Sequence, residues 1–174
     1  MPDPSVVLVA YDAEWPRRFE EERKLLENVL APWLEGGIHH VGSTAIPGVS
    51  AKPIIDMIAG VGDLADARAA FGPLEAQSYH PAPHRPEEAH WFGKPSLAER
   101  THHLHLTVPG SNLWRERLAF RDSLLADPSL AADYEALKLR LAAEHPGDIG
   151  EYTRGKAAFI ARVLAPSGIE LRPK

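Results

Sequence analysis

The most constraining feature of this chain is a short apolar run, Ile54 to Val61, that carries a single acid, Asp56. Ile, Met and Val in a run of this length are typical of a β-strand buried on both faces, so we expect it in the interior of a sheet. A carboxylate is rarely buried unless a cation, a metal ion or hydrogen-bond donors offset its charge. The run therefore predicts both a sheet and a polar site at Asp56.

A preceding strand ends in a turn formed by Gly42, Ser43 and Thr44. Glycine lets the backbone approach an anion closely, and the two hydroxyl groups add hydrogen-bond donors. The turn predicts a phosphate site, although a plain strand-to-helix turn with a capping hydroxyl would carry the same residues. Lys52 follows as a candidate partner for a phosphate or for Asp56. A structural ion pair between Lys52 and Asp56 is the alternative.

Two histidines, His103 and His105, are two residues apart on a predicted strand, Thr101 to Val108, so both point to one face of a sheet. Imidazoles placed in this way can share a metal ion, bind phosphate or act as a general base. With Asp56 they would form a two-histidine, one-carboxylate set that suits a divalent transition metal. The alternative is a pair of histidines on a solvated face, or hydrogen-bonded in a polar core.

The second half of the chain is rich in basic residues, most of which we expect on solvated helix faces. A set in the helical half comprises Arg115, Arg117, Arg121, Lys138, Arg140, Arg154 and Lys156. Arg121 follows Phe120 inside an otherwise packed segment, and Lys156 shares a predicted helix face with Tyr152 and Phe159. We therefore predict that Arg121 and Lys156 turn toward the site. Alternatively, each covers apolar surface with its charged end in water.

Composition excludes several classes of function. The 174 residues fit one domain, 1–174, and the formal net charge of -5 gives no basic field, so we expect no general nucleic-acid binding. Without cysteine the chain has neither a thiolate metal site nor a cysteine nucleophile. No apolar run approaches the roughly 20 residues of a membrane span, and the N-terminus lacks the basic segment of a signal peptide. We expect a cytoplasmic protein without a membrane partner.

The order of predicted elements favours an α+β fold. A first helix is predicted from Trp15-Pro16 to Gly36-Gly37, strands follow, and Pro81 to Glu88 is predicted as a mobile surface loop. From Asn112 onward the pattern is helical, and the last helix is predicted to begin near Ile149. We expect a mixed β-sheet packed mainly on one side against helices, with a helical C-terminal half.

With these residues in view, the chain resembles the GrpB-like family, which is related to polymerase-β-type nucleotidyltransferases. The resemblance spans nearly the whole length, from Tyr11-Asp12 to the closing helix with Tyr152 and Lys156. Its core is carried by three segments: HVGSTAIPGVSAKPIIDMI at His40 to Ile58, HHLHLTV at His102 to Val108, and FRDSLLADPSLAADYEALK at Phe120 to Lys138. The resemblance implies a nucleotidyltransferase fold.

The wider superfamily pairs Gly-Ser with two acids two residues apart on the second strand and a third acid on a later strand. Gly42, Ser43 and Asp56 match three of these positions, whereas Ile58 stands in place of the second acid. The later strand offers only the histidine pair. Because Mg²⁺ prefers oxygen ligands, this donor set does not favour the ordinary two-Mg²⁺ mechanism.

The leading hypothesis is a metal-dependent enzyme that transfers a nucleotidyl or related phosphorylated group to a small acceptor, with Mg²⁺ or a transition metal as cofactor. The predicted phosphate-binding residues are Gly42, Ser43, Thr44, Lys52, Arg121 and Lys156. The predicted metal-binding and catalytic residues are Asp56, His103 and His105, with Lys52 as a further catalytic candidate. A nucleotide- or metabolite-binding module without transfer activity is one alternative. Metal-dependent chemistry on a non-nucleotide substrate is another.

Overall fold

The computed structural model describes residues 6–172 and contains a five-stranded mixed sheet with helices before and after it. The helices are α1 (Trp15–Leu30), α2 (Phe71–Glu75), α3 (Asn112–Ala126), α4 (Pro128–Glu144), α5 (Ile149–Gly155) and α6 (Ala157–Leu164). The strands are β1 (Leu34–Val41), β2 (Ile55–Val61), β3 (His80–Ala82), β4 (Ala89–Pro95) and β5 (Arg100–Thr107). Short 3₁₀ turns lie at Ser43–Ala45, Asp66–Ala70 and Ala165–Ser167. The α+β class, the mixed sheet and the helical C-terminal half are confirmed.

The strands lie in the order β1-β2-β5-β4-β3. β2 is antiparallel to β1 and parallel to β5, and the pairs β4–β5 and β3–β4 are antiparallel. All residues of β2 are buried except the half-buried Asp56. The prediction of an interior strand is therefore confirmed, and β5 lies at the centre of the sheet.

The two faces of the sheet have different characters because side chains alternate along each strand. On one face, Met57 of β2 and Leu104 of β5 belong to one buried core with three residues of α1: Trp15, Leu26 and Leu30. Asp56 and His103, one position away on the same two strands, point to the opposite face. The sheet therefore has an apolar side under α1 and a polar side.

The helical half packs over the turn that follows β1. Ile46 and Val49 belong to one buried cluster with Leu124 of α3, Tyr134 of α4 and Val163 of α6. This cluster fixes α4 above the segment 43–52, so a long side chain on α4 can reach the polar side of the sheet.

The first helix is shorter than predicted. It ends at Leu30, and Leu34 already pairs with Val61 in the sheet. Pro32 explains the difference, because proline has no N–H to continue the helical hydrogen bonds and its ring clashes with the preceding turn. The prediction that the helix continues to Gly36-Gly37 was wrong.

The predicted closing helix is divided into α5 and α6 at Lys156. At Gly155 the chain comes so close to α4 that a Cβ atom would lie 2.4 Å from Leu141 Cδ2. Glycine at this position avoids the contact, which a larger residue would meet unless the Leu141 side chain moved. Lys156 lies beside the ring of Tyr152, with its Nζ 4.4 Å from the ring centroid.

The segment predicted as a mobile loop, Pro81 to Glu88, is partly structured. Pro81 belongs to β3, and the buried side chain of Arg85 forms ion pairs with Glu88 and with Glu116 of α3. The loop prediction is confirmed for residues 83–88, which lie outside the helices and strands, and was wrong for Pro81 and Ala82, which belong to β3. Among residues 6–172, no helix has the length and apolar character needed to cross a membrane.

Candidate active site

A cavity of about 350 Å³ lies on the polar side of the sheet, between the strand ends and helices α3 to α5. Eight of the nine residues that the sequence singled out line it: Gly42, Ser43, Thr44, Lys52, Asp56, His103, His105 and Lys156. The structure therefore brings the predicted phosphate turn, the acid and the two histidines into one cavity. A cavity of this size matches those that hold small molecules and cofactors.

Arg121 is the exception. Its Nη1 donates a hydrogen bond to the His40 carbonyl at 3.1 Å, and the guanidinium also pairs with Asp122. Arg117 lines the cavity instead, four residues earlier on the same helix face. One helical turn is about 5.4 Å, which is enough to carry Arg121 beyond the opening to the end of β1. The prediction that Arg121 turns into the site is corrected to Arg117.

The glycine of the turn allows the acid to approach it. Gly42 has φ +71° and ψ -173°, a backbone conformation that side-chain-bearing residues avoid. A Cβ atom at this position would lie 2.6 Å from Asp56 Oδ2. Only glycine therefore places the carboxylate of Asp56 directly against the turn without a clash.

Asp56 and His103 form a hydrogen-bonded pair. The two residues are register partners on the parallel strands β2 and β5, and His103 Nδ1 donates to Asp56 Oδ1 at 2.8 Å. Burial would raise the pKa of Asp56, but His103, with smaller effects of Arg117 and His105, lowers it below its ordinary value of 3.8. The carboxylate is thus ionised at neutral pH and fixes the orientation of the His103 ring, whose Nε2 is buried without a hydrogen-bond partner.

His105 carries two buried nitrogen atoms that form no hydrogen bond. The residue is 4% exposed, and its ring lies edge-on to that of His84 at 5.6 Å between centroids. Burial holds the pKa of His105 well below its ordinary value, so the ring is neutral. Buried polar atoms are ordinarily hydrogen-bonded, and unpaired ones in a cavity wall suit contact with a ligand.

The cavity wall is strongly cationic although the whole chain carries a net charge of -5. Five basic side chains line it: Lys52, Arg100, Arg117, Lys138 and Lys156. Among the described lining residues, Asp56 is the only carboxylate. Basic residues concentrated in one concave site attract anions far more than the average surface does.

Lys138 is the most deeply buried of these cations, with 1% of its surface exposed. Its Nζ donates a hydrogen bond to the Ser50 carbonyl and lies 5.0 Å from the centroid of the Tyr134 ring. Burial lowers the pKa of Lys138 to about 8. At pH 7 Lys138 is therefore protonated in most molecules, and burying this charge lowers the stability of the fold.

Sequence reasoning missed Lys138 and Arg117, which were expected on solvated helix faces. A signal was present, because each follows a buried residue of the same helix by four positions: Lys138 follows Tyr134, and Arg117 follows Leu113. Residues four apart share a helix face. A basic residue in an apolar helical stripe is thus a candidate for a cavity wall.

Aromatic rings form much of the remaining wall. The Lys52 Nζ lies 6.0 Å from the centroid of the Tyr152 ring, and burial raises the pKa of Tyr134 to about 12, so this phenol is neutral. On the side of the cavity formed by His103, the centroid of the Trp91 ring lies 5.1 Å from the centroid of the His103 ring. It lies 5.7 Å from Cζ of the Arg100 guanidinium. Rings beside cations are suited to a ligand that has both charged and planar parts.

The predicted metal set is not assembled as a set of three ligands. Within residues 6–172, no group of three or more His, Asp or Glu side chains is placed to hold a metal ion. Asp56 Oδ1 already accepts a hydrogen bond from His103 Nδ1, and the ring of His105 faces His84. The donor set therefore fits a hydrogen-bonded acid–imidazole pair better than a resident metal centre.

Comparison with known proteins gives consistent results. A family model described as GrpB protein matches residues 5–165. Glutamate-rich protein GrpB of Alkalihalophilus pseudofirmus is 36% identical over 164 residues, which cover 91% of this chain and 94% of that protein. The crystal structure of conserved protein GrpB from Enterococcus faecalis superimposes with a TM-score of 0.84 and 29% identity, covering 92% of this chain and 96% of that one.

A longer relative matches as well. UPF0157 protein YqkA of Bacillus subtilis is 35% identical over 159 residues. The match covers 91% of this chain but 46% of YqkA, so the chain spans about half the length of that protein.

Proposed function

The chain belongs to the GrpB family, and from the geometry of its cavity we propose that it binds a nucleoside triphosphate or another phosphorylated metabolite. We further propose that it transfers a nucleotidyl or related phosphorylated group to a small acceptor. The observation that carries the proposal is the concentration of five basic side chains against one carboxylate in a single cavity of a net acidic chain. Phosphate groups are the common biological anions that such a cavity suits.

The side chains of the cavity divide into two kinds of role. Lys52, Lys138 and Lys156 gather near the tyrosine rings of α4 and α5 and would hold the phosphates. The turn at Ser43 would add hydrogen-bond donors. The unpartnered nitrogen atoms of His103 and His105 supply proton acceptors that no protein group occupies.

The proposed transfer needs one proton acceptor and one stabilised leaving group. An acceptor hydroxyl or amine would give its proton to His103 Nε2 or to a ring nitrogen of His105. The acceptor atom would then form a bond to the α-phosphorus while the bond from that phosphorus to the pyrophosphate oxygen breaks. The pyrophosphate would leave with its charge offset by the lysines. Asp56 would act by orienting the His103 ring.

A protein-held pair of divalent ions does not fit this donor set. Two-metal phosphoryl chemistry needs several anionic oxygens that hold ions about 3.5–4 Å apart. Asp56 supplies the only carboxylate of the described cavity wall, and one of its oxygens is already engaged by His103. The roles proposed above therefore rest on side chains alone.

A second candidate function is a binding module that has kept the cavity without transfer activity. Ile58 favours it, because this residue stands where the superfamily has its second acid. Ile58 is 0% exposed and lies in register with His105. Metal-dependent chemistry on a non-nucleotide substrate has less support, because it depends on the three-ligand set that the described residues do not assemble.

Calorimetric titration with ATP, GTP, CTP and UTP in the presence of Mg²⁺ tests binding, and analysis of products with a panel of small acceptors tests transfer. We expect saturable binding of at least one triphosphate and release of pyrophosphate. Binding of a triphosphate without product formation would favour the second candidate, a binding module without transfer activity. Absence of binding to every triphosphate and to a panel of other phosphorylated metabolites would overturn the proposal.

A further inference from the structure

We propose that side-chain cations, rather than divalent metal ions, neutralise the ligand's phosphates in this cavity, so that it binds compounds with two or more linked phosphates in the absence of metal. The inference rests on the proposed function and deepens it, because it names how the same site handles charge. It also specifies the ligand class as a diphosphate or triphosphate tail.

The described wall of the cavity is poor in acids, with Asp56 as its one carboxylate. A protein that binds phosphates through metal ions needs carboxylate oxygens for those ions. Here Asp56 accepts a hydrogen bond from His103, and buried Ile58 lies in register with His105. The described side of the sheet that faces the cavity thus offers almost no anionic oxygen to a cation, and a metal–phosphate complex would gain little from it.

Three basic side chains of the cavity wall, those of Lys52, Arg117 and Lys138, are partly or fully desolvated. Burial lowers the pKa of both Lys52 and Lys138, and the opposing effects of Asp56 on Lys52 and of Glu135 on Lys138 are smaller. The Nε of Arg117 is buried and has no hydrogen-bond partner. Desolvated cations without matching carboxylates destabilise the fold unless an anion arrives to pair with them. Phosphate oxygens would satisfy all three side chains.

The cavity wall carries an excess of positive charge. Lysines and arginines that line the cavity outnumber carboxylates by four among the described residues. One monoanionic or dianionic group would leave at least half of this excess uncompensated. Linked phosphates deliver several negative charges within one small volume, and Arg117 with Lys138 can each form charge-assisted hydrogen bonds to them. The excess therefore favours a polyphosphate over a single phosphate.

The test is a calorimetric titration of the metal-stripped protein with inorganic triphosphate and with ATP, first with EDTA and then with excess Mg²⁺. Citrate and inorganic phosphate serve as comparison anions. We expect both polyphosphates to bind in EDTA at least as tightly as in Mg²⁺. Citrate and single phosphate should bind at least about tenfold more weakly, because citrate offers separate planar carboxylates in place of linked phosphates and single phosphate supplies fewer charge-assisted contacts.

Two substitutions with matched controls locate the binding. Lys138→Met and Arg117→Gln should each weaken triphosphate binding in EDTA by about tenfold or more, the loss expected for a charge-assisted hydrogen bond. Lys24→Met on α1 and Arg115→Gln on α3 remove the same charges from exposed positions and should leave the affinity unchanged. If Lys138→Met does not fold, Lys52→Met at a half-buried position replaces it.

Three results would overturn the inference while leaving the proposed function intact: binding only in Mg²⁺, equal affinity for citrate, or full affinity in both cavity variants. Failure of every phosphate compound to bind in either condition would instead overturn the proposed function itself. The titration with excess Mg²⁺ thus distinguishes failure of this inference from failure of the proposed function.

Discussion

The carboxylate of Asp56 accepts a hydrogen bond from His103 Nδ1 at 2.8 Å, across the two parallel strands at the centre of the sheet. This contact fixes the tautomer of the imidazole, because the ring nitrogen that donates to the acid carries the proton. The other nitrogen, Nε2, is buried in the cavity wall and has no hydrogen-bond partner. The pair links the strand register to the chemistry that we propose.

Asp56→Asn should abolish transfer, because an amide neither holds the imidazolium that forms nor orients its ring as a carboxylate does. Product formation by the purified variant measures this effect, and circular dichroism checks that the fold is intact. Asp133→Asn, an exposed position on α4, is the control and should retain full activity. An undiminished rate in Asp56→Asn would remove the pair from the mechanism.

The same acid predicts a pH dependence of stability. The pKa of Asp56 is lower in the folded protein than its ordinary value of 3.8, so the folded state favours the ionised form. Its contribution is complete above the ordinary pKa and is lost as the pH falls below it. Urea unfolding should show that the stability difference between wild type and Asp56→Asn shrinks between pH 5 and about pH 2. A difference that stays constant over this range contradicts the assigned ionisation.

Gly42→Ala should destabilise the protein and impair ligand binding. The new Cβ would lie 2.6 Å from Asp56 Oδ2, in a backbone conformation that glycine alone adopts readily. We expect a loss of about 1–3 kcal/mol in the free energy of unfolding from these two effects. Thermal and urea unfolding measure the loss.

Gly48→Ala is the matched control for this substitution. Gly48 also has a positive φ, +80°, but a Cβ there would meet nothing within 4 Å. Gly48→Ala should lower stability only through the unfavourable positive φ of its backbone, and it should leave ligand affinity unchanged. Equal effects of the two substitutions on affinity would show that the contact with Asp56 does not shape the site.

Lys138→Met should stabilise the fold near pH 7 while weakening ligand binding. The pKa of Lys138 is about 8 in the folded protein and 10.5 in the unfolded chain, so the unfolded chain binds the proton more tightly. The stability of the wild type should therefore rise, relative to the variant, by about 3 kcal/mol as the pH increases from 8 to 10.5. Unfolding of both proteins at several pH values measures the change, and a flat difference would contradict it.

His105→Phe should leave the fold as stable as the wild type or more so, because it removes two buried nitrogen atoms that have no partner. His90→Phe is the contrasting substitution. His90 Nε2 donates a hydrogen bond to the Leu64 carbonyl at 2.6 Å, and loss of this bond should destabilise the fold. Urea unfolding compares the two variants. Greater destabilisation of His105→Phe than of His90→Phe would indicate that the His105 ring has a structural role.

Much of the fold could be predicted from local pattern. The apolar run from Ile54 to Val61 identified an interior strand, because burial on both faces leaves a continuous hydrophobic signature. Its acid predicted a polar site, because a buried carboxylate needs a partner, and the Gly42 turn predicted a phosphate site, because glycine lets the backbone approach an anion closely. The histidine spacing identified a shared face, because strand side chains alternate.

Other features depend on distant contacts that no local pattern contains. Glu22 breaks the apolar stripe of α1, and the structure explains it through hydrogen bonds from Tyr79 and Lys94 elsewhere in the chain. Arg85 was assigned to a mobile loop because its partner Glu116 is 31 residues away. Lys138 was predicted to lie on a solvated helix face, because only the packing of α4 on the segment 43–52 shows that its Nζ is enclosed.

The central claim is that one cavity, formed by the turn at Gly42, the Asp56–His103 pair and the lysines of the helical half, receives a phosphate tail. The most direct measurement is a crystal structure of the protein with a bound nucleoside triphosphate. We predict phosphate density within hydrogen-bond distance of Lys52, Arg117 and Lys138. Ordered triphosphate density at another surface, with this cavity unchanged, would contradict the account.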